Sequence, residues 1–274
     1  MRYILVFLLI VAGGALDKKG AYIENSFYTC HSKSYKNSHV SMASLIFWPE
    51  NNSSYGTQEI IPPEIKILLS QKNQQFYEWN EYVRYSIDVS DTIDGASKYG
   101  EIDDSDVVLQ IEFLPIVEGD VLSENEVKDK IKIAEKEPEH LGLSLMKNST
   151  CFGCHADKIK HTGPSFSRIA DKYEYSSSNI PSIARSILEG SKGIWGSTEM
   201  PSNPDLTISE TEEIATFILN QGAKKNNWIL PGLEGTFRII EKPKNVGKGL
   251  YILTASYTST SKMRGQHTIS LNIR

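Results

Sequence analysis

A chain of 274 residues, 39% hydrophobic and 23% charged, has room for two or three modules that each bury a modest core. A formal net charge of −5 excludes the basic footprint of a nucleic-acid-binding protein. The charge is unevenly spread: residues 1–139 carry 13 Lys+Arg against 23 Asp+Glu, whereas residues 223–274 carry 9 against 2. Such an acidic front and basic tail can attract one another or each be solvated.

The first fifteen residues read as a signal peptide. Arg2 precedes an apolar run over 3–12, and Gly13, Gly14 and Ala15 suit cleavage after Ala15. The run is too short for a comfortable membrane span, so the expectation is an exported protein, periplasmic or in the cell envelope, with no transmembrane span in the mature chain. The alternative is an uncleaved N-terminal anchor. Residues 16–60 are rich in Ser, Asn and Tyr, show no clear period and receive no assignment.

Residues 61–116 read as a β segment. Positions 65–67 alternate, 83–89 alternate strictly with Val83, Tyr85, Ile87 and Val89 on one side, and a third run covers 107–113. Asn73, Asn80, Asp94-Gly95 and Gly100 punctuate these runs at a spacing that suits an antiparallel sandwich. The acidic gap Asp91, Asp94, Glu101, Asp103, Asp104 and Asp106 offers oxygen ligands for calcium, or simply solvated turn charges; it does not match the spacing of an EF-hand loop. Residues 117–137 are charged and read as a linker with some helical character.

Over 138–222 the period becomes helical. Leu141, Leu145 and Met146 share a face on a short first helix. Pro164 is placed in the first turn of a second, which carries Phe166, Ile169, Ala170 and Tyr173. Ser178 or Asn179 caps a third, with Ile180, Ile183, Ala184, Ile187 and Leu188 on one face and Gly190 at its end. Thr207 with Glu210, or Ser209 with Glu212, offers a capping box for a fourth, which carries Ile214, Phe217, Ile218 and Leu219 and is expected to stop at Gly222.

Between the first and second helices lies Cys151-Phe152-Gly153-Cys154-His155, the C-x-x-C-H pattern of covalent haem attachment. Two cysteines on one turn can both form thioethers with the vinyl edge of one haem, and the adjacent histidine is delivered beneath the iron. Zinc sites and redox dithiols use C-x-x-C without that histidine, and no second cysteine pair completes a zinc tetrahedron. Cys30-His31 resembles half of the same pattern, but Phe27 stands where its first cysteine would be, leaving Cys30 as a free thiol or an intermolecular partner. Candidates for the sixth iron position are His161, Met200, Met263 and His267. Met200 stands out because residues 190–201, with Gly190, Gly193, Gly196 and Pro201, form a non-helical lid able to cross a haem face. Met146 lies too close to the attachment motif to do so, and His140, His39 and His267 have no spaced partners.

From Trp228 the pattern returns to strands, with short runs over 235–240, 249–257 and 267–273. Three strands make a thin module, so the segment 228–274 is expected to pack on the earlier β segment, with the helical region inserted between them. The fold class is thus α and β: an all-α domain over 138–222 flanked by antiparallel β segments that are candidates for one β-sandwich.

These motifs carry a family resemblance. Cys151-Phe152-Gly153-Cys154-His155, Gly163-Pro164-Ser165-Phe166, Gly193-Ile194-Trp195-Gly196 leading to Met200-Pro201, and the closing helix from Glu210 to Gln221 resemble, in order, the monohaem class I cytochromes c, above all the small bacterial kind. The resemblance spans residues 138–222. It implies one covalent haem c, His155 and Met200 as axial ligands, the Pro164 carbonyl as acceptor for His155, and Trp195 near the haem propionates. The flanks at 84–95 and 249–258 resemble segments that accompany a cytochrome c domain in secreted Bacteroidetes-type proteins, some of which carry a sugar dehydrogenase module; no such module fits here. The resulting expectation is an exported electron carrier, not an enzyme, that serves redox partner proteins such as a dehydrogenase. The alternatives are a peroxidase-like haem enzyme with an open iron, and the electron relay of a sugar dehydrogenase whose β module binds sugar.

Overall fold

In the computed structural model, which describes residues 61–70 and 76–274, the alternating runs become strands. The leader over 1–15, residues 16–60 with Cys30 and His39, and the turn residue Asn73 lie outside the described residues. β1 (Glu64–Leu69), β2 (Tyr82–Asp91), β3 (Gly95–Ala96) and β4 (Val108–Val117) precede the helices. β5 (Trp228–Pro231), β6 (Glu234–Arg238), β7 (Val246–Thr258) and β8 (Arg264–Ile273) follow them. The four-residue β5 was not expected from the sequence, being too short to show a period.

Two antiparallel sheets result, and each draws strands from both sides of the helical region. In the first, β2 pairs β1 with Ile67 opposite Ile87, and pairs β6 with Tyr85 opposite Gly235, while β3 closes its end at Asp91–Gly95. The second has the order β5-β4-β7-β8, with Leu109 opposite Leu230 and Leu253 opposite both Ile111 and Ile269. The chain crosses between sheets at Leu233, whose carbonyl accepts from Ile87 N–H at 2.7 Å and whose N–H donates to Asp104 at 2.5 Å.

Period two decides what each face buries. Val83, Tyr85, Ile87 and Val89 of β2 meet Leu109, Ile111 and Phe113 of β4 and Tyr251, Leu253 and Ala255 of β7 in one apolar core. The neighbours that point the other way, Val108 of β4 and Ile229 of β5, join a second core otherwise made by helices. Burying each such side chain contributes about 1.5–3 kcal/mol, so the second sheet is a structural wall of the helical region.

The helices are α1 (Glu124–Lys136), α2 (Leu141–Lys147), α3 (Cys151–Cys154), α4 (Phe166–Lys172), α5 (Asn179–Glu189) and α6 (Ile208–Ala223). α6 packs on α2, α4 and α5. The stretch read as a linker contains α1, opened by a capping box between Ser123 and Glu126 and laid against β8 through Gln266, which donates to the Ala134 carbonyl at 3.3 Å, and Arg264, which donates to the Glu137 carbonyl at 2.9 Å. On α2 the buried apolar side chains are Leu143 and Met146, while Leu141 is exposed. Pro164 lies outside α4: Ser165 is the cap, accepting from Arg168 N–H at 3.2 Å, so the proline precedes it. Ser178 occupies the cap position of α5, and Thr207 with Glu210 forms the capping box of α6.

A buried ion pair adds a polar joint between helices and sheet. Lys147 on α2 and Glu139 lie 2.9 Å apart with side chains each 4% exposed, and Ser256 of β7 donates to the same Glu139 oxygen at 2.8 Å. No helix among the described residues is long and apolar enough to cross a membrane.

Gly222 does not end α6, which continues to Ala223. It is where α6 meets α4, and a Cβ there would overlap the Phe166 carbonyl oxygen. Alanine normally favours a helix over glycine by about 1 kcal/mol. Gly222→Ala is nevertheless expected to destabilise the protein by about 1–3 kcal/mol through overpacking, seen as a lower urea midpoint at unchanged slope. A raised midpoint would contradict this contact.

Candidate functional site

The site is built from one turn of helix. α3 places Cys151 and Cys154 one turn apart as half-buried free thiols, and burial pushes the Cys151 thiol up to about 11. The backbone turns extended at His155, which carries its imidazole off the end of the helix.

Three contacts fix that imidazole. Its Nδ1 lies 2.7 Å from the Pro164 carbonyl oxygen. A carbonyl can only accept, so Nδ1 carries the proton and Nε2 is left with its lone pair free for a metal. The ring stacks on Phe166 at 5.9 Å between centroids and 15° between planes, with Phe152 edge-on to Phe166 at 6.0 Å. Beneath it passes Gly163, where a Cβ would overlap the imidazole, held by Gly163 N–H donating to the Cys154 carbonyl at 2.7 Å. Pro164, standing ahead of the α4 cap, therefore serves the site through its carbonyl.

Met200 enters from the lid. Ser191 and Met200 exchange two backbone hydrogen bonds, 2.8 Å from Met200 N–H to the Ser191 carbonyl and 3.0 Å in return, which close residues 191–200 into a loop. Asn203 locks its base by donating to the Ile187 carbonyl at 2.8 Å and, through its N–H, to the Leu188 carbonyl at 3.0 Å, satisfying the last carbonyls of α5. Met200 is half-buried against the helical core. Trp195, also on this loop, meets Tyr173 edge-on at 6.3 Å, with Lys172 Nζ 4.5 Å and the Arg168 guanidinium 5.8 Å from its ring centroid.

Cys151, Cys154, His155, Pro164, Trp195 and Met200 all line one pocket, whose remaining walls include Phe166, Ile169, Ile183, Ile187, Ile214 and Ile218. The residues present fit a haem c: two thiols one turn apart, an imidazole with its outer nitrogen free, a soft thioether on the lid and apolar walls between. The other sixth-ligand candidates lie elsewhere. His161 is exposed, and neither it, Met263 nor His267 lines this pocket. His267 accepts from Ile67 N–H at 3.2 Å, and His140 caps α2 by accepting from Gly142 N–H at 3.0 Å. Met146 is core.

The acidic gap spends carboxylates on its own turns and on distant parts of the chain beside it. Asp91 accepts from the N–H groups of Ile93 and Asp94 at 2.8 Å each, Asp103 from Ser105 N–H at 2.8 Å and Glu101 from Ala96 N–H at 2.9 Å, while Asp94 is held by Tyr257 and Thr260. These bonds to Thr260 and Tyr257 hold the Asp94 carboxyl below its usual range against the opposing push of desolvation. Among the described residues no three His, Cys, Asp or Glu side chains gather as a metal cluster. Sequence reasoning did not pick out Phe166 as the ring under His155, nor the cations around Trp195, because i to i+4 neighbours on a short helix carry no mark of the surface they face.

Comparisons with known proteins fall on the same residues. The profile of the Cytochrome c family matches residues 140–222. Cytochrome c-552 of Hydrogenobacter thermophilus is 34% identical over 76 residues, 28% of this chain and 76% of that protein. Cytochrome c-551 of Pseudomonas denitrificans is 36% identical over 78 residues, 28% of this chain and 94% of that protein. Among solved structures, wild-type cytochrome c552 of Nitrosomonas europaea matches at 32% identity with a TM-score of 0.28, covering 29% of this chain and 98% of its own.

Because Gly163 leaves no room for a side chain, Gly163→Ala is expected to push the imidazole off Pro164 and to cost about 1–3 kcal/mol of stability. Nitrogen NMR of the His155 ring together with thermal unfolding checks this; an unmoved Nδ1–H resonance would contradict it.

Proposed function

The chain belongs to the cytochrome c family, which carries haem c bound covalently, and from that premise we propose that it is an exported single-electron carrier with one haem attached through Cys151 and Cys154 and held axially by His155 and Met200. The observation that carries this reading is that two donors line one apolar pocket, the His155 imidazole that follows α3 and the Met200 thioether of the lid. The haem supplies a one-electron ferric–ferrous couple.

The protein's own residues do the rest. The Pro164 carbonyl, accepting from His155 Nδ1–H, orients the ring and makes its outer nitrogen more basic. Met200 would hold the iron as a soft neutral donor, which would favour the ferrous state, raise the potential and leave no open position for oxygen chemistry. The isoleucine walls would keep water from a bound iron. Trp195, with Lys172 and Arg168 over its ring, would provide a polar edge suited to acidic haem substituents.

We read residues 1–15 as the leader that exports the chain to the periplasm or cell envelope. Residues 138–222 form the haem domain, inserted into one β-sandwich built by 61–116 and 228–274, with 117–137 as the connection; the core common to both sheets supports this division. The sandwich then presents the haem domain to a redox partner protein, for which a dehydrogenase is the proposed class.

Met200→Ala tests the ligand set. The expected result is loss of the methionine-to-iron absorption band, a shift to a high-spin or water-ligated spectrum, and a fall in potential of at least ~59 mV, a tenfold change in the one-electron equilibrium. Unchanged methionine bands would refute Met200 as ligand.

A further inference from the structure

The peptide that follows His155 is tied to the β-sheet by a buried carboxylate. Asp157, 3% exposed, lies two residues beyond His155. Its Oδ2 accepts from Ile229 N–H of β5 at 2.9 Å and from Gln221 Nε2 of α6 at 3.4 Å. Its carbonyl accepts from Ser167 N–H at 3.0 Å and Ser167 Oγ at 3.1 Å, while the carbonyl of Ala156 accepts from Phe166 N–H at 3.0 Å. Residues 156 and 157 are thus held by the first turn of α4, by α6 and by an edge strand of the sheet. Phe166, one of these anchors, is also the ring stacked on the His155 imidazole.

Packing alone does not call for an acid here. Burying a carboxylate is costly, and an apolar side chain of similar size would seal the same gap at lower cost. Oδ1 has no hydrogen-bond partner, and the nearest cation, Lys158 Nζ, stands 3.8 Å away. What the carboxylate supplies and an apolar group cannot is a directional acceptor for a backbone N–H that points outward from the sheet edge.

We propose that Asp157 is a positioning residue for the iron ligand, through which β5 fixes the peptide carrying His155 and so sets the redox equilibrium of the site. The proposal rests on His155 being the axial ligand. It makes the β portion part of the haem support, where a free-standing cytochrome domain would have to hold this peptide by itself. A displacement at Asp157 moves both the backbone of His155 and the Phe166 ring beneath it. The second joint between helices and sheet, Ser256 to Glu139 and Lys147, does not touch this peptide. It therefore serves as the control for loosening the junction without disturbing the ligand.

The experiment is spectroelectrochemical titration of the full-length holoprotein at one pH for wild type, Asp157→Ala, Asp157→Asn and Ser256→Ala, with urea unfolding of each. Asp157→Ala is expected to shift the reduction equilibrium about tenfold, 59 mV for one electron. Asp157→Asn keeps an oxygen for Ile229 N–H and is expected within about twofold of wild type. Ser256→Ala is expected to lose stability at an unchanged potential. Should Asp157→Ala not accumulate as holoprotein, Ile229→Pro removes the donor of the same bond and carries the same expected shift.

The proposal is overturned if Asp157→Ala, or Ile229→Pro in its place, keeps the wild-type potential. It is also overturned if Asn shifts as far as Ala, which would assign the effect to charge, or if Ser256→Ala shifts as much. Failure of the underlying ligand reading would appear separately, as a wild-type spectrum without a methionine-ligand band.

Discussion

The helical region is held at both ends by one sheet. The chain leaves that sheet at the end of β4 and re-enters it at β5, and these two strands pair directly, Leu109 opposite Leu230. Everything between them has to close on itself over a fixed base. Val108 and Ile229, pointing away from the sheet core, supply that base and share their burial with α2, α4, α5 and α6. The residues proposed to bind haem lie on the pieces of chain between these helices, so their positions follow from helix packing on the sheet.

That constraint explains how short, irregular segments can present donors accurately. α3 is a single turn, and the lid is a ten-residue loop with no helix of its own. Each is held by hydrogen bonds at its root: Gly163 to Cys154, Phe166 to Ala156, Asp157 to Ile229, Ser191 to Met200 and Asn203 to the end of α5. The proposed ligands are a histidine whose tautomer is dictated by a carbonyl and a methionine whose backbone is held by a two-bond bridge. This is the preorganisation expected where small changes in ligand geometry become changes in potential.

Much of this was legible in the sequence because the signals are local. C-x-x-C-H, the Gly-Pro pair at 163–164 and the glycine-rich approach to Met200 are short, ordered motifs, and the strict alternation over 83–89 marks a strand half-buried on one face. Other features were hidden for physical reasons. α1 read only as some helical character in a linker, because its stripe of Val127, Ile131 and Ala134 is short and half-buried, although its capping box at Ser123 and Glu126 was present to be read. Gly222 reads as a helix stop from propensity, but its smallness serves an α4–α6 contact that only tertiary structure reveals. Asp157 carries no sequence signature, because its partner, a backbone N–H 72 residues away, has no identity in the sequence.

The central claim is a six-coordinate haem closed by His155 and Met200 on a sheet-supported frame. Near-infrared magnetic circular dichroism of the ferric, full-length protein tests it most directly. The account predicts a low-spin spectrum with a histidine–methionine charge-transfer band, in a protein that takes up cyanide only slowly. A high-spin spectrum, a bis-histidine band or immediate cyanide binding would contradict it.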